Sequence, residues 1–397
     1  MSKLDELIQS LCPDGVEYRA LDDLVDYEQP TDYLVTSTVY SDVFLTPVLT
    51  AGASFILGYT DENKGIYPAT EIESVIIFDD FTTSFHWVDF QFKVKSSAMK
   101  MLKTKDEQIA MLRYLYYAMQ CITYLPTQHA RQWIQTYSGF TIPLPPLEVQ
   151  KEIVRILDKF TILEAELEAE LEARLLQYNH YRDELLTFGV DVPINTLGNV
   201  CSFVRGPFGG SLKKECFVAD GYAVYEQQHA IYGDFTFRYY VTEKKYVEMK
   251  RFSIKPGDLI MSCSGTMGKF SIVPEGAPKG IINQALLKLT VNNRINNKFL
   301  KYYSESIAFW NYLNSHTQGG AIKNVASVAI LRTIPIPVPP LTEQNRIVAI
   351  LDHFETMVHD ISSGLPAEIA ARHKQYEYYR NQLLTFKQKP TESIAVR

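Results

Sequence analysis

The residues best suited to chemistry cluster between positions 200 and 255. Arg205, Lys213, Lys214, Arg238, Lys244, Lys245, Lys250 and Arg251 are interleaved with Tyr239, Tyr240 and Tyr246, and Gln227-Gln228-His229 stands among them. Guanidinium and ammonium groups neutralise phosphates, and amide side chains pair with base edges, so this combination suits a nucleic-acid surface. Regional charge points the same way. Residues 193–335 carry 17 Lys+Arg against 9 Asp+Glu, a net of +8, in a chain whose formal charge is −7. Residues 1–140 carry 10 against 19, a net of −9, and the remainder 12 against 18, a net of −6. That asymmetry implies a polyanionic partner for the second half. Taken one at a time, each cation is more simply part of a solvated basic face.

Other chemistries find less support. Gly265 to Lys269 has the glycines of a phosphate loop but neither its spacing nor the following Ser/Thr, so a turn is expected there. Asp234 with Glu243-Lys244-Lys245 resembles the acidic pair and lysine of metal-dependent nucleases, a pattern that arises readily by chance. No glycine-rich cofactor loop is followed by an Asn-Pro-Pro-aromatic motif, so methyl transfer is not expected of this chain. The 5 cysteines show no CxxC and no ligand spacing with the 8 histidines. Buried free thiols, no metal and no cofactor are the expectation. No apolar run approaches membrane length and the first residues lack a signal-peptide core, so a cytoplasmic protein without membrane contact is expected.

The elements that must position these groups are visible as a duplication. Ile142-Pro143-Leu144-Pro145-Pro146-Leu147 continues through Gln150, Ile153-Val154 and Ile156-Leu157-Asp158 to Phe160. It returns 194 residues later as Ile336-Pro337-Val338-Pro339-Pro340-Leu341, with Gln344, Ile347-Val348, Ile350-Leu351-Asp352 and Phe354. Tyr181-Arg182 and Leu185-Leu186-Thr187-Phe188 return as Tyr379-Arg380 and Leu383-Leu384-Thr385-Phe386 at an offset of 198, so four residues have been added. A period near half the chain means a duplicated domain with its connector.

Each connector reads as a long helix. Prolines suit its entrance, and no Pro or Gly interrupts 147–188. Ile153, Leu157, Phe160, Leu163, Leu167, Leu171, Leu175, Tyr178, Tyr181, Leu185 and Phe188 advance by 3.5 residues on average, the coiled-coil period. Ile347, Leu351, Phe354, Tyr376 and Leu383 continue the stripe in the second copy, with a break expected near 362–366 and a restart at Ala367. Two amphipathic helices could each pack on their own domain, but length and matched spacing favour mutual antiparallel pairing. Asp5-Glu6-Leu7-Ile8 echoes Asp183-Glu184-Leu185-Leu186, so the end of the second connector is expected beside the N-terminal segment, closing a ring of approximate twofold symmetry.

The predicted fold class is α+β, a pseudo-twofold duplication. Two globular domains, 1–141 and 190–335, alternate with helical spacers at 142–189 and 336–388, and 389–397 is a tail. Strands are expected at 43–45, 74–78 and 90–94 with a helix at 107–118, then strands at 222–225, 258–261 and 286–289 with a helix at 297–313. The repeat is plain in the connectors and weak in the domains.

Divergent domains each followed by a Pro-Pro-Leu-x-x-Gln-x-x-Ile-Val-x-Ile-Leu-Asp helix that ends in Tyr-Arg-x-x-Leu-Leu-Thr-Phe resemble the DNA-specificity subunits of type I restriction-modification systems. The resemblance covers essentially the whole chain. It implies two target-recognition domains reading the halves of a split, asymmetric sequence in double-stranded DNA, with the helices as the ruler between them. It further implies docking of two methyltransferase subunits on the helices, association with restriction and translocase subunits, and no catalysis by this chain itself. Lys64, Thr82, Thr83, Ser84, His86, Lys103, Gln128 and Arg131 are then the candidate DNA-binding residues of the first domain, with Lys100 in the same patch. Lys323 occupies a place in the second domain comparable to that of 128–132 in the first. The competing reading is a cytoplasmic coiled-coil scaffold that never touches DNA.

Overall fold

The computed structural model describes residues 2–390 except 53, 129, 209, 264, 265, 267, 317–327 and 361–363. The chain divides into two compact units, residues 1–167 with 369–397, and residues 168–368. Each unit contains one globular domain, part of the helix Leu147–Leu185 and part of the second connector.

In the first unit, the strands Val25–Glu28, Met99–Thr104, Val75–Asp79 and Phe85–Val88 form one antiparallel sheet in that order. Ile56–Thr60, Thr46–Leu49 and Lys93–Val94 form a second, whose last pair is parallel. In the second unit, Cys201–Arg205, Leu286–Val291, Leu259–Ser262 and Phe270–Ile272 repeat the first order. A five-stranded sheet again contains a parallel pair, Tyr222–Tyr225 with Gly280–Ile282. The duplication therefore extends through the domains, where sequence similarity had faded. Topology survives because the buried strand pattern survives: Val75 to Phe78 and Leu259 to Met261 are fully buried on both faces, as central strands must be, and any large apolar residue satisfies them.

Several expectations need correction. Residues 43–45 form the turn before Thr46–Leu49, with Val43 81% and Leu45 91% exposed. Apolar residues with nothing to pack against gave a false strand signal. The 90–94 strand shrinks to Lys93–Val94, while the polar run at 82–87 contributes the strand Phe85–Val88. The helix expected at 107–118 begins only at Leu112, because Asp106 holds the preceding turn through its contact with the Gln108 amide. The helix expected at 297–313 is two, Asn297–Ser304 and Ile307–Ser315, because the Ser306 hydroxyl accepts from the Phe309 amide and restarts it.

The first connector is one helix, Leu147–Leu185, about 58 Å long at 1.5 Å per residue. The second breaks into Leu341–His359 and Leu365–Leu383, so the restart falls two residues before the expected Ala367, with Pro366 in the first turn. The halves run antiparallel within each unit. In the first, Phe160 stacks on Tyr379 at 5.4 Å and Glu164 meets His373 at 2.7 Å; in the second, Tyr181 stacks on Phe354 at 5.7 Å. Ile153, Leu157 and Tyr376 are buried in the first unit's core, and Tyr178, Ile347 and Leu351 in the second's. Phe160, Leu383, Leu171, Leu185 and Phe354 pack against those cores, and Leu167 is half-buried. Both packing schemes thus hold at once, since the stripe faces a partner helix and its own domain together. Midway along the first helix the stripe opens, and Leu163 is 47% exposed.

One interaction fastens each helix to its domain. Gln150, fully buried, donates from Nε2 to the Pro145 carbonyl (2.8 Å) and the Ile109 carbonyl (2.9 Å), and its Oε1 accepts from the Met111 amide (3.0 Å). Gln344 repeats this with the Pro339 carbonyl (2.8 Å), the Arg294 carbonyl (3.0 Å) and the Asn296 amide (2.7 Å). About two turns on, Asp158 accepts from Tyr117 (2.5 Å) and Arg113 (2.8 Å), as Asp352 accepts from Tyr302 (2.6 Å) and Lys298 (2.6 Å).

In the first unit the N-terminal segment meets the end of the second connector, as expected from the echo. The Val16 amide donates to the Lys387 carbonyl (2.9 Å), the Lys389 amide to the Val16 carbonyl (2.8 Å) and the Tyr18 hydroxyl to the Phe386 carbonyl (3.0 Å). Gly15, at φ +97, is required there, because a Cβ would lie 2.3 Å from the Lys387 carbonyl oxygen.

Gln344→Ala is expected to cost about 2 kcal/mol, since it orphans the buried Pro339 carbonyl and the partly buried Arg294 carbonyl and Asn296 amide. Denaturant unfolding measures the loss, and hydrogen exchange should show it first at Asn297–Ser304 and Leu341–His359.

Candidate nucleic-acid interface

In the second unit a small aromatic cluster organises the cations. Val224, Val241, Met249 and Ile281 form its buried centre, with Leu212, Phe217, Tyr222, Tyr239 and Tyr246 packed against them. Tyr222 stacks on Tyr246 at 4.0 Å and Phe217 on Tyr239 at 4.6 Å. Lys213 and Lys214 follow Leu212, Lys244 and Lys245 precede Tyr246, and Lys250 and Arg251 follow Met249, so segments far apart in sequence bring their cations around one cluster. The Thr242 hydroxyl accepts from the Lys245 amide at 3.3 Å and fixes the helix Glu243–Glu248 that carries two of them. Lys245 pairs with Glu248 at 2.9 Å. Lys213, Lys214, Lys244, Lys250 and Arg251 are exposed and hold no ion pair among the described residues. Free cations at rest are what phosphate contacts require.

Arg238 belongs to the same region but is held. Glu226 accepts from its Nε at 2.8 Å and from its Nη2 at 3.0 Å, and its guanidinium carbon lies 5.1 Å from the Tyr239 ring centre. Gln227 and Gln228, half-buried, open the helix Gln227–Tyr232 beside Glu226. Arg205 lies apart, half-buried at the end of the other sheet, where it bears on the Cys263 thiol. His229 is a correction: its ring is wholly buried, Nδ1 accepts from the Glu226 amide at 2.7 Å, and Nε2 faces the Thr236 carbonyl at 3.0 Å. It ties the 226–238 excursion together and presents nothing to a ligand. Lys323 lies outside the described residues.

The first domain holds several of its cations in internal contacts. Lys100, offered as part of a surface patch, is a second correction, because it is 1% exposed and lies 3.4 Å from the equally buried Asp80. Arg131 approaches the same carboxylate at 3.9 Å, and Arg113 is engaged by Asp158 and stands over the Trp87 ring. Thr82, Thr83 and Ser84 form the turn after Val75–Asp79, where Asp79 accepts from the Thr82 amide (2.8 Å) and the Thr82 and Ser84 hydroxyls meet at 2.6 Å. Thr83 adopts φ +59 and is buried, so it serves the turn. His86 contacts the Gly52 carbonyl at 3.1 Å and packs on Phe55 at 4.7 Å. The Gln128 side chain is exposed while its carbonyl accepts from Gln132, at 3.3 Å. Lys64 and Lys103 are exposed, the latter 5.6 Å from the Tyr67 ring centre.

The Lys64 loop is braced from beneath. The buried Lys93 donates to the Lys64 carbonyl at 2.6 Å and pairs with Glu62 at 3.0 Å. Glu62 also accepts from the Ser37 amide (2.7 Å) and the Thr36 hydroxyl (2.7 Å). Those bonds, Ser37's first, hold its carboxyl down to about 2. Among the cysteines, Cys12, Cys201 and Cys263 are buried as expected, whereas Cys216 is half-buried and Cys121 exposed. Burial pushes the Cys201 thiol up to about 12, so it is a packing group.

Residues 13–177 and 191–371 match the sequence profile of the type I restriction modification DNA specificity domain. The chain belongs to that family. Each match takes one globular domain with the helix that follows it, the same unit that the repeat defines. The chain is 39% identical to the EcoR124I/EcoR124II type I restriction enzyme specificity subunit of Escherichia coli, over 99% of both chains. Its fold is that of the S subunit of a type I restriction-modification system from M. genitalium (TM-score 0.53, 15% identity, 93% and 96% covered). It is also that of a chain solved in work on complex assembly and conformational transition of the type I R-M system (TM-score 0.58, 18% identity, 94% and 98% covered). Specificity subunits of this family carry the sequence choice, and the scaffold reading is set aside.

Glu62 gives a pH dependence with a defined sign. A carboxyl held at about 2 against an ordinary 4.5 stabilises the folded unit above pH 4.5, and the contribution disappears as pH falls from 4.5 towards 2. Thermal unfolding between those limits should show a shallower pH slope in Glu62→Gln than in the parent chain; equal slopes would remove Glu62 from the account.

Proposed function

We propose that this chain directs a type I restriction-modification complex to an asymmetric, two-part site in double-stranded DNA. Each globular domain reads one half. The antiparallel helices set the gap between halves and dock two methyltransferase subunits, and restriction and translocase subunits join the assembly in the cytoplasm. The observation that carries this reading is full-length kinship with a named specificity subunit, 39% identical over 99% of the chain, joined to two domains of like topology. Each is anchored to a helix by the same buried glutamine, and that common anchoring supports two equivalent readers rather than one reader and one bystander.

The two domains supply different means. The second offers unpaired cations for phosphates, which give affinity without sequence information. The first, at net −9 over residues 1–140, relies on polar and apolar contacts to bases around a few exposed lysines. The reaction belongs to the partner subunits. This chain positions, and a positioned methyltransferase modifies adenine at the distance the helices allow.

Footprinting of the complex with its methyltransferase partner is expected to show two protected half-sites, and affinity should fall steeply with salt. Lys213→Ala with Lys244→Ala should reduce the slope of log affinity against log salt by about 2 without altering the recognised sequence. Inserting seven residues into Leu147–Leu185 and seven into the second connector should widen the gap and leave both half-sites unchanged; an unaltered gap would end the ruler idea.

A further inference from the structure

We infer that Arg238, held by Glu226, reads a guanine in the half-site recognised by the second domain. This deepens the proposed function and rests on it. A guanidinium has five N–H donors arranged along distinct edges. Glu226 occupies the edge formed by Nε and Nη2, at 2.8 and 3.0 Å. Three donors remain, and of these one hydrogen of Nη1 and the outer hydrogen of Nη2 lie parallel on the end edge, the pair that matches guanine O6 and N7.

Three features separate this pair from an ordinary surface ion pair. Its acid is fixed: the Glu226 side chain is only 12% exposed and also caps the helix Gln227–Tyr232, while Arg238 is 61% exposed. Its arginine is backed by a stack in which Tyr239 lies 5.1 Å from the guanidinium carbon and rests on Phe217 at 4.6 Å. The excursion carrying both residues is closed by the buried His229, which joins the Glu226 amide to the Thr236 carbonyl. A guanidinium already neutralised by a carboxylate is a weak phosphate ligand. Held rigid and 61% exposed, with a donor pair that Glu226 leaves unused, it is a base reader, and the lysines nearby supply the phosphate contacts that Arg238 does not.

The test compares adenine-methylation motifs in cells carrying the complete system with parent chain, Arg238→Lys, Arg238→Ala or Glu226→Gln. The parent motif should contain a guanine whose requirement weakens about 10- to 100-fold in both Arg238 variants. Glu226→Gln should weaken the same position less, with the other half-site and the gap unchanged. Lysine keeps the charge and loses the fork, so an unchanged motif in Arg238→Lys overturns the inference. Should the Arg238 variants abolish methylation, binding of the purified complex to duplexes altered one base pair at a time decides. Lost discrimination at a single guanine supports the inference, and a uniform loss across all duplexes overturns it. A parent complex with no two-part motif would overturn the proposed function itself, a result distinct from a two-part motif that ignores Arg238.

Discussion

A glutamine with every hydrogen-bonding group satisfied inside each unit joins helix to domain. Gln150 and Gln344 sit where the chain leaves a proline pair and must begin a helix, leaving backbone carbonyls and amides that a buried junction cannot give to water. A side-chain amide both donates and accepts, so one residue closes the helix entrance against a loop of the domain. Neither a carboxylate nor a hydrocarbon could do so. The domain's orientation on its helix follows from that closure and from the aspartate about two turns on, and a reading surface is useful only if its orientation is fixed.

Around this shared frame the two junctions have diverged in charge. In the first unit Tyr376 donates to Gln120 at 2.5 Å beside Arg380, a mostly neutral contact. In the second, Lys301 pairs with Glu305 at 3.5 Å and with Glu355, within reach of Tyr302. Burial raises the Glu305 carboxyl, the cost of placing a charged cluster where its counterpart has amide and phenol. The same topology tolerates either solution because each is internally paired.

The domains differ more sharply in how they use cations. Lys93, Lys100, Lys105 and Arg131 of the first are drawn into contacts with its own carboxylates and Arg113 into one with Asp158 of the helix, whereas in the second Lys213, Lys214, Lys244, Lys250 and Arg251 hold no ion pair among the described residues. Glu226 escaped sequence reasoning because an acid in a basic region looks like background, and its partner lies twelve residues away across a helix and a turn.

The sequence by itself determined whatever depends on local periodicity and on copying: the connector helices, the interruption of the second one, expected near 362–366 and found between His359 and Leu365, the duplicated order and the meeting of residues 15–18 with 386–389. Proline entrances and a 3.5-residue stripe act over one or two turns, so they can be read without knowing neighbours. Only the tertiary structure decided the fate of individual polar groups. Lys100 and His229 looked like surface ligands and are buried, Lys213 and Lys244 are brought around one aromatic cluster, and Arg238 is held by an acid. Burial and pairing are properties of residues distant in sequence, set by how strands register and sheets fold over. No pattern along the chain encodes them.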